Sequence, residues 1–178
     1  MAEQQEELYE KYMKILYPGY ENMSEQRKEN IEFCNMGLIG RLARVDVLFT
    51  AMKDPKSPMY RTGASDKDLV RIADKYVEMI EESHGPVRVP TGNVLRGGPY
   101  FDTPEDEYVW KDRSEEAVQQ ALDWAVDSYN SQPRISIKNI INGVKKYKID
   151  KETARIANDL LYNKKEPESR TTEEDKEM

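Results

Sequence analysis

The sequence has a single cysteine, Cys34, and a single histidine, His84, among its 178 residues. An internal disulfide is therefore impossible, and zinc sites built on clustered Cys and His lack their ligands. Nucleophilic catalysis of the Ser-His or Cys-His type would rest on one imidazole in His84-Gly85-Pro86, a context that reads as a helix end. Ile31, Leu38 and Ile39 surround Cys34 in sequence and predict a small buried hydrophobe there. No apolar run approaches the roughly 18 residues that a membrane span needs, and mean hydropathy is -0.87. The acidic N-terminus, MAEQQEELYEKY, has no basic-then-apolar leader pattern. These features predict a cytoplasmic protein that does not enter a membrane.

Phosphate and cation motifs are missing as well. Thr91-Gly92-Asn93 and Arg96-Gly97-Gly98 offer glycines beside a hydroxyl and an arginine. Neither is followed by Gly-Lys-Ser/Thr, and G-x-G-x-x-G is absent. The acidic run Asp102 to Glu107 fits no EF-hand spacing; it reads as a solvated turn leading into a helix. With no acid, base, nucleophile or metal cluster, the sequence predicts a non-enzymatic protein without a cofactor.

What is present is helical periodicity. Leu8, Tyr12, Ile15 and Leu16 recur at helical spacing between Glu3 and Tyr17, and Pro18-Gly19 ends that helix. Tyr9, Tyr12, Tyr17 and Tyr20 make this end rich in tyrosine. They read first as half-buried packing with the hydroxyls at the rim, and second as a partner-binding surface. Ser24 is a candidate N-cap for a long helix reaching Lys53, with Ile31, Cys34, Leu38, Leu42, Val45, Phe49 and Met52 on one stripe. This helix is expected at the centre of the core, with Gly37 and Gly40 or a break near Asn35 interrupting it. Arg41 and Arg44 are expected to pair with acids elsewhere. Ser65 caps a helix to Glu82 and Ser114 one to about Tyr129. The region 84–113 is the least regular. Val87–Val89 and Asn93–Leu95 suggest a small hairpin around Thr91-Gly92, while Tyr100, Phe101, Tyr108 and Trp110 need something to cover. The fold class is thus all-α, an irregular domain of about five or six helices.

Three segments follow from composition. Residues 1–130 form the helical domain with its irregular loop at 84–113. Residues 133–165 form a basic helix pair. Residues 166–178, acidic and almost free of apolar side chains, are expected to be disordered. The stretch 133–165 holds nine basic and three acidic residues, a net of +6 in a chain whose total is -7. Such asymmetry predicts a localised binding surface or an intramolecular partner. Ser136 caps a helix to about Lys148 bearing Ile137, Ile140, Ile141 and Val144, Ile149 plugs the turn, and Asp150 caps a second helix whose Ala154, Ala157, Leu160 and Leu161 face inward. The pair is similar in general form to a helix-turn-helix unit. Lys145, Lys146 and Lys148 would then hold a phosphate backbone, with Lys151, Arg155 and Asn158 presented to DNA. Glu152 and Asp159 oppose that use. The alternative is a small helical adaptor or assembly protein that binds a protein partner through its tyrosine-rich N-terminal helix and its aromatic loop.

Overall fold

The computed structural model describes residues 2–95, 104–131 and 148–162. Within them the protein is mostly helical, with one small two-stranded sheet. The elements run α1 (Ala2–Leu16), a 3-10 turn (Tyr20–Asn22), α2 (Glu25–Cys34), α3 (Met36–Gly40), α4 (Leu42–Lys53), α5 (Asp66–His84), β1 (Val87–Leu95), β2 (Glu105–Lys111), α6 (Glu115–Ser131) and α7 (Lys151–Tyr162).

Helix starts follow local side-chain chemistry. The Ser24 hydroxyl accepts the Arg27 N–H at 3.3 Å, that of Ser65 the Asp68 N–H at 3.2 Å, and that of Ser114 the Ala117 N–H at 3.2 Å. The Asp150 carboxylate accepts the Glu152 N–H at 3.0 Å and the Thr153 hydroxyl at 3.1 Å. Each pairs a donor that the first helical turn leaves open. After α1 the chain turns at Gly19, whose φ of 81° is in the left-handed region that glycine adopts without a Cβ clash.

The expected long helix from Ser24 to Lys53 is broken into α2, α3 and α4, at Asn35 and Arg41. Asn35 is buried and its amide donates to the Tyr17 hydroxyl at 2.8 Å and to the Ile31 carbonyl at 2.7 Å. That side-chain bond competes with the helix ladder and turns the chain. Arg41 leaves helical geometry and bonds Asp74 at 2.9 Å. Cys34, the last residue of α2 before the break at Asn35, is exposed rather than buried.

The central helix is α5, not the stretch from Ser24 to Lys53. It packs against α1, α4, α6 and α7. Leu69, Ala73, Tyr76, Val77 and Ile80 are all buried along it, a full apolar stripe at helical spacing. Tyr12, Met13 and Leu16 of α1, Val45, Leu48 and Met52 of α4, and Leu122 and Val126 of α6 close the same core. Burying each large side chain contributes about 1.5–3 kcal/mol. Ile149 joins it from the turn before α7, and Ala154 and Ala157 join it from α7 as their periodicity predicts, whereas Leu160 is exposed.

The sheet lies where the sequence suggested mostly irregular chain. Val87–Leu95 is one strand rather than both arms of a hairpin, and it pairs antiparallel with Glu105–Lys111. The acidic residues Glu105 to Glu107 thus belong to a strand instead of a turn before a helix. Thr91-Gly92 is not the hairpin turn. It sits in a bulge between the pairs Pro90↔Tyr108 and Val94↔Asp106, where Gly92 has φ 86°. Glu107 closes the bulge, its carboxylate accepting from the Thr91 hydroxyl at 2.9 Å and the Asn93 amide at 3.1 Å. The proposed helix from Ser136 and the acidic tail lie outside the described residues.

Candidate interaction surface

Helix α7 carries the described part of the basic stretch, and its cations find acids within the chain. Arg155 meets Asp123 at 3.0 and 3.2 Å, and Lys151 meets Asp127 at 2.9 Å. Asp123 and Asp127 lie four residues apart on α6, as Lys151 and Arg155 do on α7. Two helices running antiparallel bring the four charges into register. Lys148 is exposed just before the helix. Lys145 and Lys146 lie outside the described residues. Asn158 is 5% exposed, and its amide oxygen is 2.6 Å from His84 Nε2, so its polar end is paired in the interior.

A second set of contacts fixes the other side of α7. The His84 ring stacks on Tyr162, with centroids 4.0 Å apart and planes at 19°. The Arg44 guanidinium lies over the Tyr162 ring at 4.9 Å and donates to its hydroxyl, while pairing with Glu81 at 3.0 Å. His84, expected as a simple helix end, is therefore a packing element between α5 and α7. Arg41 and Arg44 do pair with acids elsewhere, both on α5. Burial pulls the Arg41 guanidinium down, but the hydrogen bond and charge of Asp74, with the charges of Glu78 and Glu81, together outweigh it and leave it above its ordinary value.

At the start of α7 the Tyr76 hydroxyl accepts the Asp150 N–H at 3.0 Å and an Arg61 N–H at 2.9 Å. Burial pushes this phenol above its ordinary pKa, while the Asp150 N–H and the Arg61 charge act the other way. Asn130 holds Ile149 reciprocally: its amide donates to the Ile149 carbonyl at 2.6 Å and accepts the Ile149 N–H at 3.1 Å. In sequence, Asn130 is only a linker residue. The i, i+4 acids of α6 facing i, i+4 bases of α7 were the readable signal for that docking.

The N-terminal tyrosines take the packing role. Tyr12 and Tyr20 are buried and Tyr9 and Tyr17 partly so. Tyr12 donates to Asp46, and Tyr20 to the Tyr9 hydroxyl at 3.2 Å. Burial raises both the Tyr12 and the Tyr9 phenols, and the bonds to Asp46 and Tyr20 add to it.

The ribbon of β1 and β2 contrasts with all of this. No residue of either strand is buried, and each strand's dense contacts are with the other. Paired residues share a face, so Arg88, Pro90, Val94, Asp106, Tyr108 and Trp110 stand together on one side. Trp110 is 68% exposed, and Val94 and Tyr108 are exposed with it. The Arg88 guanidinium lies 4.5 Å above the Tyr108 ring. The opposite face exposes Leu95 and Val109. At the ribbon's base, Arg113 donates to the Ser83 carbonyl at 3.0 Å, tying it to the end of α5.

Among the described residues no group of three or more His, Cys, Asp or Glu is placed to hold a metal ion, and no helix is long and apolar enough to cross a membrane. No family model, curated protein or solved structure matches the chain.

Proposed function

We propose that the protein is a helical interaction module that docks a protein partner on the ribbon of β1 and β2. One observation carries this reading: a two-stranded ribbon exposes Val94, Leu95, Tyr108, Val109 and Trp110, and among the described residues the dense contacts of each strand are with the other. A lone pair of strands is marginal in water, and such ribbons gain stability from further strands or a covering layer. Clustered exposed aromatics are also the residue types enriched at protein–protein contacts. Of the two surfaces expected for an adaptor, the aromatic one is thereby available, and the tyrosines of α1 serve the core.

The rival is DNA contact through Lys145, Lys146, Lys148, Lys151, Arg155 and Asn158. It requires Lys151 and Arg155 to exchange Asp127 and Asp123 for phosphates, and it obtains nothing from the buried Asn158. Two measurements decide between these readings. A photo-crosslinking residue at Trp110 should give a discrete protein adduct in cells producing the full chain, and one at exposed Trp124 should not. A duplex titration across a salt series should show no specific binding. A salt slope near -0.9 per phosphate, flattened by Arg155→Ala, would move the function to α7.

A further inference from the structure

The two edges of the ribbon differ. The outer edge of β1 carries Pro90, which has no N–H to offer, and the bulge at Thr91 to Asn93. Both devices block strand addition. β2 has neither: Glu105–Lys111 contains no proline, glycine or bulge. The direction of its backbone groups is also fixed. The Glu107 carbonyl faces β1, since the Thr91 hydroxyl reaches it at 3.4 Å. Strand alternation then turns the N–H and C=O groups of Asp106, Tyr108 and Trp110 to the open edge. Pro90 opposite Tyr108 agrees, because a residue without an N–H fits a pair whose backbone groups point away from each other.

The sequence of that edge is complementary to itself. Tyr108 is the midpoint of the strand Glu-Asp-Glu-Tyr-Val-Trp-Lys. Antiparallel pairing of two copies about this residue sets Glu105 of each opposite Lys111 of the other. Glu105 and Lys111 are both exposed, and neither has an ion pair or side-chain hydrogen bond with another described residue. The same register sets Asp106 opposite Trp110 and Tyr108 opposite Tyr108, so the outward-facing residues meet as backbone-bonded pairs. It also lines up Tyr108 and Trp110 of both copies as one aromatic stripe. Antiparallel strands place the two helical bundles at opposite ends of the sheet.

We propose that β2 pairs with β2 of a second copy about a two-fold axis at Tyr108, joining the two ribbons into one four-stranded sheet. The contact is isologous, so it closes on itself and leaves the proline-guarded β1 strands as the new edges. It rests on the reading of the ribbon as an interaction surface and names its occupant.

The test is sedimentation of the purified full chain, with charge-reversed variants. The wild type should sediment as a dimer. Glu105→Lys and Lys111→Glu should each weaken dimerisation by about tenfold or more, because each replaces two attractive contacts by two like-charge ones. The double variant Glu105→Lys/Lys111→Glu should recover it. Tyr108→Pro should be monomeric with an unchanged helical spectrum, since it removes an outward N–H and leaves the bonds to β1. A dimer indifferent to Tyr108→Pro, or single reversals that the double variant does not rescue, overturns this interface. A monomeric wild type whose residue-110 crosslinker still captures a different protein overturns self-pairing and leaves the interaction reading intact. A monomer with no adduct at residue 110 removes both.

Discussion

Tyr76 and Tyr108 are the same side chain in opposite settings. Tyr76 lies at the centre of α5 with no exposed surface, its hydroxyl bonded to Asp150 and Arg61. Tyr108 stands exposed on the ribbon, with the Arg88 guanidinium over its ring. In the bundle, the side chains of Asn35, Asn130 and Asn158 all find hydrogen-bond partners. The ribbon turns its apolar groups outward. A chain that buries Tyr12, Tyr20 and Tyr76 in one domain has the means to bury aromatics, and it leaves Tyr108 and Trp110 out. On the proposed reading, the difference separates the part of the chain that packs on itself from the part offered to a partner.

The largest effect that separates the two regions is on stability. Ile80→Ala should cost about 2–5 kcal/mol in denaturant unfolding, since it leaves a cavity at a wholly buried site of α5. Trp110→Ala at low protein concentration should leave the same transition almost unmoved. If the tryptophan proves equally costly, the ribbon belongs to the bundle's core and the contrast fails.

Tyr76→Phe should cost about 0.5–1.5 kcal/mol, because it removes the acceptor of the part-buried Asp150 N–H while changing shape very little. Hydrogen exchange should show the loss concentrated at the start of α7. Uniform protection loss would mean that this hydroxyl is not what holds α7.

The alkaline limb sharpens the comparison further. Tyr9, Tyr12 and Tyr76 all have raised phenol pKa values in the folded chain. A raised value favours the neutral form, so its contribution is fully present below the unfolded pKa of about 10 and is lost as pH climbs above it. Stability should therefore be flat up to about pH 10 on this account and fall beyond it. Tyr12→Phe should reduce that fall. A fall that Tyr12→Phe leaves unchanged would place its cause outside this core phenol.

Arg155→Ala should have a small effect, under about 1 kcal/mol, as its pair with Asp123 is half-exposed and screened by solvent. Melting with and without added salt is the check. A larger loss would make the α6–α7 charges a structural clamp.

The four helix caps were readable because Ser24, Ser65, Ser114 and Asp150 act on N–H groups within three residues. The stripe of α5 was readable because its period is its own. The breaks in the stretch from Ser24 to Lys53 were not, since Asn35 and Arg41 bend the chain by reaching Tyr17 and Asp74 far along it. The ribbon failed for the same reason. Gly92 announces a positive φ, but whether that makes a turn or a bulge depends on Glu107 across the strand. The basic charges on α7 were plain in the sequence, while their partners, Asp123 and Asp127, are fixed by how α7 lies on α6. Side chains that act locally can be read singly; those that act by choosing a partner need the partner's position.

The reciprocal bonds between Asn130 and Ile149 have an engineering consequence. They join the chain on either side of residues 131–148 as a buckle joins the ends of a strap. The entropy of closing the chain between them grows only by about 0.6 kcal/mol for each doubling of its length. Lengthening the chain between Asn130 and Ile149 should therefore cost little through loop closure while these bonds hold the end of α6 to the start of α7.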